Sequence, residues 1–148
     1  MELRSEIRQA RKRGAKVFTE HCAGCHGSDG EGGAQYPPLA DSHFILDDPQ
    51  RVALIIHKGI FGPITVGGKT YGDERMPGWE DTLTAETTAD LLTYLRVAWG
   101  NSDKLELEDQ LISIEQTEAW MNEAKDLKGP LPAAQVESKD WKSLLEKD

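Results

Sequence analysis

The chain has 148 residues, of which 38% are hydrophobic and 29% charged, and its formal net charge is −9. That length suits one domain with room for an appendage. The acidic balance argues against nucleic acid and anionic lipid surfaces as partners, and the longest apolar run, Val52 to Ile56, is far too short to cross a bilayer.

Charge is unevenly spread. Residues 1–20 carry a net +3, residues 21–100 a net −6 and residues 101–148 another −6. Such an acidic surface favours docking to a basic patch on a partner, although it also serves solubility alone.

Leu3, Ile7, Ala10, Gly14, Val17 and Phe18 recur at helical spacing, with Arg and Lys on the opposite face. This predicts a helix over residues 3–20. Gly14 is unfavourable in its middle by about 1 kcal/mol relative to Ala, so it marks the close approach of another backbone. Phe18 lies one turn further on, and Cys22 a turn beyond that.

Cys22-Ala23-Gly24-Cys25-His26 holds both cysteines of the protein. The spacing C-x-x-C-H is the attachment signature of a c-type haem. Two thiols three positions apart can each form a thioether to a porphyrin vinyl group, and the adjacent imidazole reaches the iron as a proximal ligand. A structural zinc site needs four ligands. There is no third cysteine, and His21, His43 and His57 show no H-x3-5-H spacing among themselves. A thioredoxin-like pair would sit at a strand-to-helix junction, whereas the residues before Cys22 read as helix. A disulfide here would close a very small loop with little entropy to remove. Residues 1–20 are charged throughout and lack an apolar centre, so no signal peptide is read there. Because haem is joined to this motif beyond the bacterial cytoplasmic membrane, the expected location is periplasmic, the chain being a mature or trimmed form.

After His26, four glycines in Gly27–Gly33 predict a loop, and Tyr36-Pro37-Pro38-Leu39 an extended segment. Asp48 or Asp47 caps a second helix, with Pro49 in its first turn and Gly59 at its end. Residues 59–82 read as irregular, with a small hairpin of Ile64–Val66 and Lys69–Tyr71 around Gly67-Gly68. A loop this long is functional or disordered, and it carries Met76-Pro77. Thr84 caps a third helix running to about Trp99 and stopped by Gly100. Beyond it, Leu105–Leu107 reads as extended. Ser113 and Gln116 form a capping box for a helix ended by Gly129-Pro130, and Ser138 caps a short last helix bearing Trp141, Leu144 and Leu145.

These pieces resemble a class I cytochrome c (single-haem, His–Met ligated) over about residues 3–101. In that family a glycine and an aromatic residue on the first helix cross a leucine and an aromatic residue on the last. Gly14, Phe18, Leu91 and Tyr94 stand at the matching places. The resemblance implies an all-α fold with helices around one haem c, attached through Cys22 and Cys25. It implies His26 and Met76 as axial iron ligands and the Pro37 carbonyl as hydrogen-bond partner of the proximal histidine. Gly67–Tyr71, Thr93–Arg96 and Trp99–Asn101 look like one bacterial subgroup, found as small periplasmic carriers and as haem domains of dehydrogenases or reductases. Residues 102–148 form an extension outside the resemblance, packing on the core, on a partner, or serving as a linker.

Met1 is terminal and Met121 sits in the tail beside Trp120, whereas Met76 has no periodic core role. His57 is the chief competitor for the sixth position, but its place on a mixed helix face suits a solvated or hydrogen-bonded residue. His43, expected in a loop, is a second competitor, and His21 faces away if the first helix continues. Tyr71, Trp79 and Arg75 are candidate donors to the haem carboxylates, Trp79 alternatively packing on the haem edge. Asp73-Glu74 reads as a solvated turn.

A thioether opposite an imidazole favours ferrous iron and fills the last position. That suits a carrier more than a catalyst. The expected function is electron transfer with redox partner proteins, as a soluble carrier or as the haem domain of a larger respiratory or dehydrogenase system, the chain itself not being an enzyme. The alternative is a haem-based sensor or haem enzyme with a labile Met76, for which the sequence offers no distal acid–base pair and no signalling module. A haem-free binding module is the third possibility.

Overall fold

The backbone closes on itself where the first helix meets the last helix of the core. The structure is a computed structural model describing residues 2–72 and 75–146, so Asp73-Glu74 lies outside the described residues. In chain order the helices are α1 (Glu2–His21), α2 (Ala23–His26), α3 (His43–Leu46), α4 (Pro49–Lys58), α5 (Ala85–Val97), α6 (Ile114–Glu123) and α7 (Ala133–Glu137). The short strands are β1 (Ile60–Phe61), β2 (Ile64–Val66), β3 (Lys69–Tyr71) and β4 (Leu131–Pro132). The fold is predominantly helical, as expected.

Helix α1 buries Ile7, Ala10, Gly14, Val17 and Phe18 along one stripe and lies across α5. A Cβ at Gly14 would overlap the Asp90 carbonyl oxygen and stand 2.7 Å from the Tyr94 Cβ. Only glycine allows this approach. The rings of Phe18 and Tyr94 lie 5.3 Å apart, and Trp99 stands edge-on to both at 5.1 and 5.4 Å. Arg13 adds a forked bond to the Asp90 carboxylate at 2.9 and 3.1 Å.

Capping follows the sequence closely. The Thr84 hydroxyl accepts from the Thr87 amide while Thr87 reaches back to the Thr84 amide. Asp48 caps α4 by accepting from the Gln50 amide at 2.9 Å, with Pro49 in the first turn. Helix α5 ends at Val97, before the expected Trp99. Trp99 and Gly100 have left-handed φ values of 55° and 84°, a conformation secured at Trp99 by its indole N–H donating to the Ser28 carbonyl at 2.9 Å. His43, expected in a loop, opens the short helix α3.

The tail departs more from expectation. Leu105 and Glu106 are extended, as expected, but Leu107 already opens a turn. Two 3-10 turns, Ala98–Lys104 and Leu107–Asp109, occupy this region. The reason is the buried Arg96 guanidinium, which donates to the carbonyls of Asp109, Ile45 and Asp47 at 2.8, 3.1 and 3.0 Å and draws the turn against α5. The Ser113–Gln116 capping box is present, and α6 packs on α4 and α5. Ser138 follows the end of α7, and Asp140 precedes a 3-10 turn over Trp141–Leu145. Strand β4 pairs in parallel with β1, Leu131 opposite Ile60, which no local pattern announced.

Two buried clusters result. One joins Val17, Phe18, Ile56, Leu91 and Leu95 between α1, α4 and α5. The other joins Ile60, Ile64, Val66 and Tyr71 to Leu131, Val136 and Trp141 of the tail. Both send side chains into the wall of one large cavity, and Met76 is partly buried against both.

Replacing Gly14 by Ala separates helix propensity from packing. Propensity alone would raise stability by about 1 kcal/mol. Overlap with Asp90 makes the expected outcome a loss of roughly 1–3 kcal/mol in denaturant unfolding.

Candidate functional site

Helix α1 runs straight into the motif. The Cys22 amide bonds the Phe18 carbonyl at 2.8 Å, and the amides of Cys25 and His26 bond the Cys22 carbonyl at 3.2 and 3.0 Å. The motif therefore turns as a short helix, and Cys22, Cys25 and His26 all line the cavity. Both cysteines are free, Cys22 half-buried and Cys25 exposed. Burial, with a smaller contribution from Cys25, pushes the Cys22 thiol up to about 11, so it is a neutral thiol at neutral pH.

His26 Nδ1 lies 2.9 Å from the Pro37 carbonyl oxygen. A carbonyl only accepts, so Nδ1 carries the proton and Nε2 keeps its lone pair. Burial lowers the imidazole pKa from its ordinary value, opposed by the Pro37 bond. The ring is thus held neutral in the tautomer that a metal requires. The glycine loop makes this possible: a Cβ at Gly32 would stand 2.7 Å from the Pro37 carbonyl carbon, and the Gly32 amide bonds the His26 carbonyl at 2.7 Å. The glycine spacing by itself predicted only a loop here. Its role as the seat of the Pro37 carbonyl comes from the packing.

The remaining wall is apolar and includes Phe44, Ile45, Val52, Ile56, Ile60 and Leu91. Its empty volume is about 1060 Å³, open solvent at the mouth included. Met76 lines it as well, held by reciprocal backbone bonds to Ile60, both 3.1 Å. Two thiols, a neutral imidazole and a thioether around an apolar hollow match a haem's vinyl groups, iron and macrocycle. The residues fit the group.

The competitors are placed elsewhere. His57 is buried, its Nε2 2.9 Å from Thr88 Oγ1, and lines a separate cleft between α4 and α6. His43 is exposed and stacks on Phe44 at 4.4 Å. His21 packs on Trp79 at 4.9 Å. Among the described residues, His26 and Met76 are the one histidine and the one methionine lining the cavity. Pro37, Tyr71 and Arg75 line it too. Trp79, expected at the haem carboxylates or edge, does not, because its ring is turned onto His21 and its amide is tied to the Ile56 carbonyl at 2.9 Å.

The sequence model of the cytochrome c family matches residues 11–99. The chain belongs to the cytochrome c family. It is 34% identical over 98 residues to cytochrome c-552 of Thermus thermophilus, covering 62% of this chain and 72% of that protein. It is 33% identical over 91 residues to the cytochrome c subunit of the quinone-type alcohol dehydrogenase of Gluconacetobacter polyoxogenes, covering 60% of this chain and 19% of the subunit. A third relative is FixP, a subunit of the cbb3-type cytochrome c oxidase of Sinorhizobium medicae, 36% identical over 83 residues, which are 55% of this chain and 28% of that one. The matched region thus spans about a fifth of the dehydrogenase subunits. For the matched residues 11–99 the family's function is electron transfer through a c-type haem. No helix among the described residues is long and apolar enough to cross a membrane.

His57 makes the stability of this cytochrome depend on pH. Burial chiefly lowers its pKa below the ordinary 6.5, with Glu80 opposing and Lys58 reinforcing. Between the folded value and 6.5 the unfolded chain holds a proton that the folded chain does not. This stabilisation is therefore complete above pH 6.5 and lost as pH falls through that window. Unfolding midpoints of the haem-loaded protein should drop from about pH 7 to about pH 5.5, and His57→Gln should flatten that part of the profile.

Proposed function

We propose that the cavity would hold one haem c, with Cys22 and Cys25 supplying the thiols for its attachment and His26 Nε2 and Met76 Sδ the donors to its iron. The observation that carries this is the convergence of one neutral imidazole and one thioether on an apolar cavity beside two free thiols. When bound, the haem supplies the one-electron couple of its iron.

The protein's own residues do the rest. The Pro37 carbonyl fixes the His26 tautomer and its ring orientation, and it adds to the basicity of the ligating nitrogen. Met76 brings a neutral, soft donor that favours the ferrous state. Apolar walls exclude water, so few dipoles need to reorient when charge changes. Tyr71 and Arg75 are the donors for the haem carboxylates. The relatives' names support a cytochrome c or the haem-bearing part of a dehydrogenase or oxidase system, and the periplasmic setting rests on the attachment motif. In either, residues 1–101 are the cytochrome domain and residues 102–148 its extension.

Met76→Ala tests the axial assignment. It should abolish the methionine-to-iron charge-transfer band, lower the reduction potential and open the ferrous protein to carbon monoxide. An unchanged spectrum would assign the sixth position to another group and reopen the sensor reading.

Redox partners meet an acidic surface: residues 21–148 carry a net −12, the compensating cations being gathered on α1. Electron exchange with a basic partner should slow as salt rises from about 0.01 M to about 0.15 M, where the Debye length shrinks from about 30 to about 8 Å. Stopped-flow rates that ignore ionic strength would refute this docking mode.

A further inference from the structure

We infer that residues 129–141 form a strap that positions Met76 and so sets how firmly the sixth iron site is closed. The inference rests on Met76 being the axial ligand. It concerns a part of the chain that the family match over residues 11–99 does not cover.

The observation is a three-membered ladder centred on Ile60. On one edge, Ile60 exchanges backbone bonds with Met76 at 3.1 Å in each direction. On the other edge it is paired with Leu131, whose amide donates to the Gly59 carbonyl at 2.9 Å. Strand β1 is two residues long. A pairing that short has little stability of its own, so the strand holding Met76 depends on what backs it.

The backing is built as a fitted part. Leu131, Ala133 and Val136 are no more than 1% exposed, and Trp141 is 6% exposed. They pack on Ile60, Ile64, Val66 and Tyr71, all of which line the haem cavity on their other side. The Thr65 amide donates to Glu137 Oε2 at 2.7 Å, tying the hairpin to α7. Gly129 seats the strap directly on the end of α4: a Cβ there would overlap the Lys58 carbonyl and stand 2.9 Å from the Lys58 Cβ. No described residue of 102–148 lines the cavity itself. The strap therefore acts on the site through the strand and hairpin, as a positioning element.

A thioether on a loop competes with outside ligands for the iron, and the balance follows the free energy of holding the loop in its bound position. Fastening the loop from its far side favours the closed carrier. Loosening it favours an open site.

The test uses the full-length, haem-loaded protein. Gly129→Val wedges the strap from Lys58, and Val136→Ala loosens it more gently, deciding the matter if the first variant does not fold. Thr117→Val serves as the control. Thr117 is fully buried in α6, bonded to the Ser113 carbonyl at 2.9 Å, and belongs to neither the ladder nor the strap. The expected result for the strap variants is a weakened methionine-to-iron band, carbon monoxide uptake faster by about tenfold, and amide exchange at Met76 faster by about tenfold. Thr117→Val, although destabilised, should keep the parent's band and uptake rate. Strap variants with the parent's band and uptake rate overturn the inference alone. So does a control that shifts in proportion to its lost stability. A parent lacking the band overturns the Met76 assignment and this inference with it.

Discussion

The close approach of α1 and α5 at Gly14 is the constraint on which the rest depends. With the Asp90 carbonyl where a side chain would otherwise begin, the two helices meet backbone to backbone. Phe18, Tyr94 and Trp99 then pack around the crossing. Because α1 continues without a break into Cys22, this crossing determines where the attachment motif stands. Leu91 and Leu95 of α5 reach the cavity wall from the other partner of the crossing. One contact thus places both the Cys22–His26 motif and part of the apolar surface that faces it.

The site is assembled from neutral donors. His26 is kept unprotonated by burial and held in one tautomer by Pro37, and a thioether carries no charge in any state. Around neutral donors the wall can be lined with Ile, Leu, Val and Phe, Arg75 being the one cation among the described lining residues, and such walls rearrange little when one electron arrives or leaves. Charges are kept to the outside, with the basic stripe on α1 and acids over the remainder. The buried cations Arg51, Lys58 and Arg96 lie in the shell between, Lys58 paired with Glu80 and Arg96 with three carbonyls. In Arg51, which lies over Phe44, Nε alone is buried without an acceptor.

Legibility in the sequence followed the range over which each feature is decided. Capping at Asp48, Thr84 and Ser113 could be read because a cap and its amide are within three residues of each other. The stripe of α1 could be read because its period is local. Cys22, Cys25, His26, Pro37 and Met76 could be named together, and the cavity brings them together. Trp79 could not be placed, since whether an indole faces a cavity or a neighbouring histidine depends on a rotamer set by packing. Helix α3 and the 3-10 turns after α5 were missed because they are too short to show a period and are held by distant groups, notably Arg96.

The sequence by itself determined what is decided locally: two thiols and an imidazole at the C-x-x-C-H spacing, and helices whose caps and apolar faces are written within single turns. Tertiary structure alone decided the tautomer of His26, the exclusion of His57 and His43 from the cavity, and the pairing of Leu131 with the strand that holds Met76. Each of these depends on groups far apart in the chain. Leu131 and Ile60 are joined by a parallel bridge whose partners have no common local pattern, and such a bridge exists only once the buried faces behind it have met.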